Sequence, residues 1–166
     1  MIVIVMGVAG AGKTTVGRRL AASLGCEFID ADDYHPPANR QKMRAGEPLG
    51  DDDRWPWLAR LNGLLRERAQ RGAGAVLACS ALKAGYREAL ARGVPEARLV
   101  YLRGSQAVIG PRLAGRGGHF MNPALLDSQF AALEEPRDAI VVDVAATPEA
   151  LVGAIRAGLA QHPPAR

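Results

Sequence analysis

The sequence predicts a single α/β domain built on a doubly wound, parallel five-stranded sheet with helices on both faces. Short apolar runs alternate with helical patterns, and the runs are β-branched without polar alternation. A length of 166 residues with 48% hydrophobic residues suits one core. Because strand and helix alternate along the chain, we expect a parallel sheet covered on both faces, with residues 1–166 in one domain.

Five apolar runs are the predicted strands, each too short for a typical buried helix. They cover residues 2–6, the region around Phe28-Ile29, and residues 75–79, 98–102 and 139–144. Helical patterns follow at about residues 13–24, 37–45, 54–70, 83–92, 105–114, 123–134 and 148–161. The acidic run Asp51 to Asp53 precedes the third helix and is interpreted as its cap, and Arg71-Gly72 would end that helix.

Composition and charge narrow the function classes. The net charge of +4 could indicate a nucleic-acid surface, but the arginines are scattered, and anionic small substrates explain the charge equally well. No apolar run approaches the roughly 20 residues that cross a bilayer, and no basic segment precedes the first strand, so we expect a cytoplasmic protein. Cys26 and Cys79 lack the spacing of a disulfide or zinc site and are predicted to be buried thiols.

A glycine-rich segment at the first strand-to-helix junction predicts a phosphate site. Residues 7–14 fit the pattern G-x-x-x-x-G-K-[ST], whose glycines let backbone N–H groups converge on phosphate oxygens. Lys13 would reach the β- and γ-phosphates of ATP, and the Thr14 hydroxyl would bind Mg²⁺. The expected nucleotide-binding residues here are Gly7, Val8, Ala9, Gly10, Ala11, Gly12, Lys13, Thr14 and Thr15. The alternative is a simple glycine turn.

Phosphate binding alone fits a kinase, an ATPase or a switch GTPase. Guanine-specific switches carry an Asn-Lys-x-Asp motif, and none of Asn39, Asn62 or Asn122 is followed by lysine. The sequence therefore disfavours a switch GTPase.

Two carboxylates follow the second predicted strand. In an extended segment, Asp30 and Asp32 would point to the same side, at the strand ends where open α/β sheets bind ligands. Asp30 could hold magnesium through its waters, and Asp32 could take the proton of an attacking hydroxyl. This pair favours a kinase, and the alternative is that both are loop and capping residues.

Longer motifs resemble the gluconokinase family. The run from Asp32 to Leu49 contains His-Pro-x-x-Asn-x-x-Lys-Met, and the run from Asp51 to Leu58 follows it. The likeness continues at Cys79 to Lys83, Tyr86-Arg87, Tyr101-Leu102, Arg112-Leu113, Arg116 to Phe120, Gln129-Phe130 and Glu135-Pro136, and so covers nearly the whole chain. One departure is Ala31, where family members carry glycine between the two aspartates, and its methyl group is expected to narrow the pocket slightly.

The resemblance implies transfer of phosphate from ATP to the 6-hydroxyl of D-gluconate, on a fold similar to shikimate and adenylate kinases, with a homodimer as the common assembly. A sugar acid has several hydroxyls and one carboxylate, so its pocket should combine cations with donors and acceptors. Arg54 is the first choice for the carboxylate and Lys83 the second. The expected substrate residues are Asp32, His35, Asn39, Lys42, Arg54, Ser80, Lys83, Arg87 and His119, most of them within about residues 30–60.

The glycine-rich segment 115–122 resembles a short lid of the adenylate-kinase kind. Arg112 would pack on the adenine, and Arg116 would join Lys13 and Asp32 as a catalytic residue by neutralising charge on the transferred phosphoryl group. The alternatives are a solvated helix face for these arginines, and loop anchoring for His35 and His119. At the level of function, the rivals are a kinase of another small acceptor, such as shikimate or a nucleoside monophosphate, and a binding or RNA-interacting module that uses ATP as a switch.

Overall fold

The computed structural model describes residues 1–115 and 123–161, and this part of the chain contains one parallel sheet of five strands. The strands are β1 (Ile2–Met6), β2 (Glu27–Asp30), β3 (Ala75–Ala78), β4 (Ala97–Arg103) and β5 (Ile140–Asp143). Their order in the sheet is β2-β3-β1-β4-β5. The predicted α/β fold is confirmed, and β1 lies at the centre between two parallel neighbours.

Seven α-helices and one short 3-10 helix connect the described strands. They are α1 (Lys13–Leu24), the 3-10 helix Ala31–Tyr34, α2 (Pro37–Arg44), α3 (Asp51–Gln70), α4 (Ala84–Ala91), α5 (Gln106–Ala114), α6 (Pro123–Ala132) and α7 (Pro148–Gln161). The predicted start of α3 was too late, because Asp51 to Asp53 form its first turn instead of preceding it. Gly50 is the N-cap, and its N–H donates to the Asp53 carboxylate at 2.9 Å.

The sheet lies between two helical layers, as a doubly wound fold requires. Val3 and Val5 of β1 pack in a cluster with α1, α5 and α7. Ile4 and Met6 point to the opposite face and pack with α3 and α4. Burial of both faces explains why the strands read as continuous apolar runs.

Two expectations about small side chains need correction. Cys79 is buried as predicted, but Cys26 is only partly buried, because it lies in the turn between α1 and β2. Ala31 is buried in the cluster that contains Trp57, so its methyl group packs into the core and does not narrow an open pocket.

Because the strands are parallel, the carboxyl ends of β1, β2 and β3 meet at one edge of the sheet. The loops that follow them carry residues 7–12, 31–36 and 79–83. This edge is where open α/β sheets bind ligands, and it holds the predicted site.

Candidate active site

The phosphate loop occupies residues 7–12 between β1 and α1. Gly12, the N-cap of α1, has a φ of 94°, and Gly10 has a φ of 79°. Both values lie in the left-handed region that favours glycine. A Cβ at Gly10 would also lie 2.6 Å from Cγ of Leu113. The glycines therefore let the loop turn sharply into the N-terminus of α1, which favours anions.

Lys13 folds back over this loop. Its Nζ donates to the Val8 carbonyl at 3.0 Å, and the Ala11 N–H donates to the same carbonyl at 3.2 Å. The Ala9 N–H donates to Oε1 of Gln129 at 2.6 Å. Our sequence reasoning missed Gln129 as a site residue, and its only signal was its place in a family motif.

Thr14 and Asp30 lie side by side, as expected for a magnesium site. The Thr14 hydroxyl donates to Oδ2 of Asp30 at 3.2 Å. Both are hard oxygen ligands, and Mg²⁺ is usually held by one or two protein oxygens together with phosphates and water. Among the described residues, no three His, Cys, Asp or Glu side chains are arranged so that they could hold a metal ion, so these residues offer no closed protein cage for one. The pair fits a magnesium ion that arrives with a nucleotide.

The predicted geometry of Asp30 and Asp32 was wrong in one respect. Residues 31–34 form a 3-10 helix and not an extended segment, because Oδ1 of Asp30 accepts the Asp32 N–H at 3.1 Å and caps the turn. The capping interpretation of Asp30 is thus correct, and its second oxygen still faces Thr14. The turn keeps both carboxylates close enough to interact electrostatically.

The surroundings of Asp32 raise the pKa of its carboxyl group. The Asp32 side chain is 80% exposed, yet desolvation by the surrounding protein is the main cause that raises its pKa. The neighbouring Asp30 raises the pKa further, and Lys13 and His35 partly offset the rise. A carboxylate with a raised pKa holds a proton more strongly while it remains open to a ligand.

His35 is buried and braced, which supports the loop-anchor interpretation of this residue. Its ring stacks on Trp57 at 4.2 Å, and its Nδ1 accepts from Nδ2 of Asn39 at 3.3 Å. The same Nδ2 donates to the Asp53 carbonyl at 2.8 Å, which fixes the orientation of the Asn39 amide. Desolvation lowers the His35 pKa, the Asp32 carboxylate partly offsets this fall, and the nearby Arg54 and Arg40 add to it. The neutral ring therefore carries its proton on Nε2, 4.0 Å from the Asp32 carboxylate.

Trp57 is a supporting residue that we did not predict. It lies on α3 with 3% exposure, and its Nε1 donates to the Ala31 carbonyl at 2.8 Å. It thereby ties α3 to the turn that carries Asp32.

Replacing Trp57 with phenylalanine is expected to lower the free energy of unfolding by about 1–2 kcal/mol, since the ring stacking remains but the buried Ala31 carbonyl loses its donor. Urea denaturation would measure this loss. Trp55→Phe is the matched control, because Trp55 is 43% exposed and contacts Tyr86 edge-on. Equal stability of the two variants would contradict the role of the Ala31 bond.

Among the described cations, Arg54 has a buried N–H group that makes no hydrogen bond. Its Nη2 donates to the Leu49 carbonyl at 3.3 Å, and its guanidinium lies 5.6 Å from the Tyr86 ring centre. Its Nε is buried without a hydrogen-bond partner in the described structure. A buried N–H of this kind is costly unless a ligand accepts from it.

Lys42 and Lys83 are each paired with an acidic residue of α3. Lys42 Nζ lies 3.0 Å from both carboxylate oxygens of Asp53. Lys83 Nζ lies 3.2 Å from Asp51, which also accepts a hydrogen bond from the Tyr86 hydroxyl. The acidic run therefore does more than cap α3, because it already balances the charge of the two lysines.

The loop between β3 and α4 brings Ser80 beside the phosphate loop, where its carbonyl lies 3.4 Å from the Gly7 nitrogen. Ala81 has a φ of 46°, which is strained for a non-glycine residue. Nη1 of Arg87 donates to the carbonyls of Ala81 and Leu82 at 3.0 and 2.9 Å. Burial lowers the pKa of Arg87. Arg87 therefore braces this loop.

A cavity of about 230 Å³ opens beside Asp32 and His35, and Arg40, Met43 and Arg44 of α2 complete its lining. These three residues were not among our predicted site residues, although they lie within the family motif. A larger depression of about 400 Å³ shares His35, Arg40 and Arg44 with it but is not lined by Asp32. The smaller cavity is the one adjacent to the predicted base.

The predicted lid is described only in part. Arg112 lies exposed in the last turn of α5. Arg116 and His119 lie outside the described residues, as does most of segment 115–122.

Sequence comparisons match this chain to one family model and to several gluconokinases. A family model described as an AAA domain matches residues 2–136. A probable gluconokinase of Mus musculus is 49% identical over 152 residues, covering 81% of this chain and 83% of the relative. A gluconokinase of Gluconobacter oxydans is 50% identical over 135 residues, covering 81% of this chain and 76% of the relative.

No helix in the described ranges is long and apolar enough to cross a membrane.

Solved structures extend the comparison to three dimensions. The crystal structure of a gluconokinase from Sinorhizobium meliloti 1021 has a TM-score of 0.87 at 44% identity and covers 96% of this chain and 91% of its own. An APS kinase of Mycobacterium tuberculosis has a TM-score of 0.69 at 20% identity, covering 96% of each chain, and shows the shared fold alone.

Proposed function

Because the chain belongs to the gluconokinase family, we propose that it transfers the γ-phosphate of ATP to the 6-hydroxyl of D-gluconate, giving 6-phospho-D-gluconate and ADP. The proposal rests on one observation: the phosphate loop and a pair of carboxylates lie at the same edge of the sheet. A phosphate loop with Lys13 and Thr14 lies next to the electrostatically coupled carboxylates Asp30 and Asp32. This arrangement supports the proposal, because Asp32 would then lie near the triphosphate of a bound nucleotide and could act as the base.

In the proposed reaction, Asp32 accepts the proton of the gluconate 6-hydroxyl. The oxygen forms a bond to the γ-phosphorus, the bond from that phosphorus to the β,γ-bridging oxygen breaks, and ADP leaves with the electron pair. Lys13 and the N-terminus of α1 stabilise the negative charge. We assign the same role to Arg116, and adenine stacking to Arg112, on the strength of the family motif.

Thr14 and Asp30 would hold Mg²⁺, Asp30 through coordinated waters. Bound there, the ion would neutralise phosphate charge during transfer. The neutral Nε2–H of His35 faces Asp32 and would help to orient that carboxylate.

Arg54 is the proposed anchor for the gluconate carboxylate, because its buried Nε has no partner in the described structure and a guanidinium can pair with a carboxylate through two bonds. Asn39, Lys42, Ser80, Lys83, Arg87 and His119 remain proposed substrate residues. For Asn39, Lys42, Lys83 and Arg87, the observed partners lead us to infer that they shape the pocket and bind hydroxyls more than they supply free charge. A cytoplasmic homodimer is part of the proposal and follows the family resemblance.

A panel of acceptors tests the proposal by ADP release. D-gluconate is expected to support turnover, while D-glucitol, shikimate and a nucleoside monophosphate are expected to react at least about a hundredfold more slowly. D-Glucitol has a hydroxymethyl group in place of the carboxylate and leaves Arg54 without an anionic partner, whereas shikimate and the nucleotide carry their anion on a skeleton unlike the open chain of gluconate. Arg54→Gln should reduce the preference for gluconate over glucitol. Equal use of shikimate would favour the shikimate-like alternative, and acceptor-independent hydrolysis stimulated by RNA would favour a binding module.

A further inference from the structure

Helix α6 carries a glutamine that the proposed mechanism does not use. Gln129 is partly buried, and its Oε1 accepts the Ala9 N–H at 2.6 Å. Ala9 lies in the first half of the phosphate loop, before the glycines and amides that turn into α1. This hydrogen bond links α6 to the phosphate loop, although the two residues are 120 positions apart in the chain.

This bond acts on a single peptide group. The N–H of Ala9 and the carbonyl of Val8 belong to the same planar unit, so fixing one direction fixes the other. The Val8 carbonyl is the group that accepts from Nζ of Lys13 and from the N–H of Ala11. Hydrogen bonds on both ends of one peptide also polarise each other. By fixing the direction of this peptide group, Gln129 therefore also fixes the carbonyl to which the Lys13 ammonium group is bonded.

Gln129 is itself held in place by the segment around it. Leu126 is buried, and Phe130 packs partly buried against the same core cluster. Beyond α6, the Glu134 N–H donates to the Leu82 carbonyl at 2.9 Å, and the Glu134 carboxylate accepts the Ala84 N–H at 2.8 Å. The end of this segment is thus fixed to the loop on the acceptor side.

The residue type suits the position. A neutral amide oxygen accepts the Ala9 N–H without bringing negative charge toward a triphosphate. A carboxylate would accept the same bond but repel the nucleotide, and an apolar side chain would leave the N–H without this acceptor.

We propose that Gln129 is a positioning residue for the phosphate donor, which orients the Val8–Ala9 peptide and, through it, Lys13. It does not touch the reacting atoms. The inference rests on the proposed ATP-dependent transfer.

The test measures nucleotide binding without acceptor, using calorimetry with ADP and a non-hydrolysable ATP analogue. Gln129→Met keeps the length and removes the acceptor, and is expected to weaken nucleotide affinity about tenfold and to lower kcat, with the KM for gluconate unchanged within about twofold. Gln129→Glu keeps the acceptor and adds charge, so its affinity for the nucleotides should also fall, and the fall should diminish at high salt.

Ser128→Ala is the matched control on the same helix, because the Ser128 hydroxyl donates to the Leu125 carbonyl within α6. It should bind nucleotide like the parent. Parent-like affinity and kcat in Gln129→Met would overturn the proposal, as would a loss that falls on the gluconate KM alone. If Gln129→Met fails to fold, Gln129→Asn takes its place, because its side chain is one methylene shorter and its oxygen no longer reaches the Ala9 N–H, and parent-like nucleotide affinity and kcat in that variant overturn the proposal. A parent that binds ADP but ignores gluconate would refute the proposed acceptor and leave the Gln129 comparison intact.

Discussion

Replacing Asp32 with asparagine is expected to lower kcat for gluconate phosphorylation by about a hundredfold or more, in the range that general-base catalysis contributes. The substitution keeps the shape of the side chain and removes the proton acceptor. ADP affinity should remain near that of the parent, because Asp32 has no place in holding the nucleotide. A coupled ADP-release assay measures the effect, and turnover within threefold of the parent would refute the role.

The same carboxylate should set the acid side of the pH profile. Its raised pKa means that Asp32 takes up a proton at a higher pH than an ordinary aspartate, so kcat/KM should fall as the pH drops through that raised value. Asp30→Asn removes the neighbouring like charge and should move this limb to lower pH. Because Asp30 is also the proposed holder of magnesium waters, the parent and the variant are compared at saturating Mg²⁺ and ATP. An acid limb that Asp30→Asn leaves in place would show that another group controls it.

Replacing Lys13 with methionine is expected to lower kcat by about a hundredfold to a thousandfold, the loss typical of removing one preorganised electrostatic contact to the transition state. ADP affinity should change much less, because the backbone amides and the α1 N-terminus remain. Steady-state kinetics and calorimetry together would separate the two effects.

Lys13→Arg is the informative companion variant. An ammonium group is compact, whereas a guanidinium is a broad planar fork that does not reproduce the Lys13 contact with the Val8 carbonyl. We expect the kcat of Lys13→Arg to remain at least about tenfold below that of the parent. Arg19→Lys, on the exposed surface of α1 where Arg19 pairs with Glu149, should be neutral and serves as the control. Parent-like turnover in Lys13→Met would contradict the role of Lys13.

The fold was predictable because its signals are local and mutually consistent. Each strand is a short apolar run buried on both faces, and the structure places every strand within one residue of its predicted bounds. The start of α3 was missed because acidic residues suit both the position before a helix and its first turn. The phosphate loop was predictable because its pattern falls at a strand-to-helix junction, which restricts its possible conformations.

The remainder of the site depends on tertiary packing that no local pattern encodes. The pairing of Lys42 with Asp53 requires α2 to lie against α3, and the pairing of Lys83 with Asp51 requires α4 to do the same. The contact of Gln129 with Ala9 joins residues separated by 120 positions. Sequence could identify such residues as polar and within a motif, but not which partner each one has.

The central position of β1 has a consequence for how the protein responds to its nucleotide. β1 is bonded on both sides, to β3 and β4, and these come from distant parts of the chain. Separating β1 from its two neighbours would therefore disrupt most of the sheet. Because the phosphate loop follows β1, the free energy of nucleotide binding at this loop stabilises the folded domain as a whole. At a hundredfold excess over the dissociation constant, a ligand adds about 2.7 kcal/mol to stability. A bound nucleotide would thereby offset destabilising substitutions far from the loop.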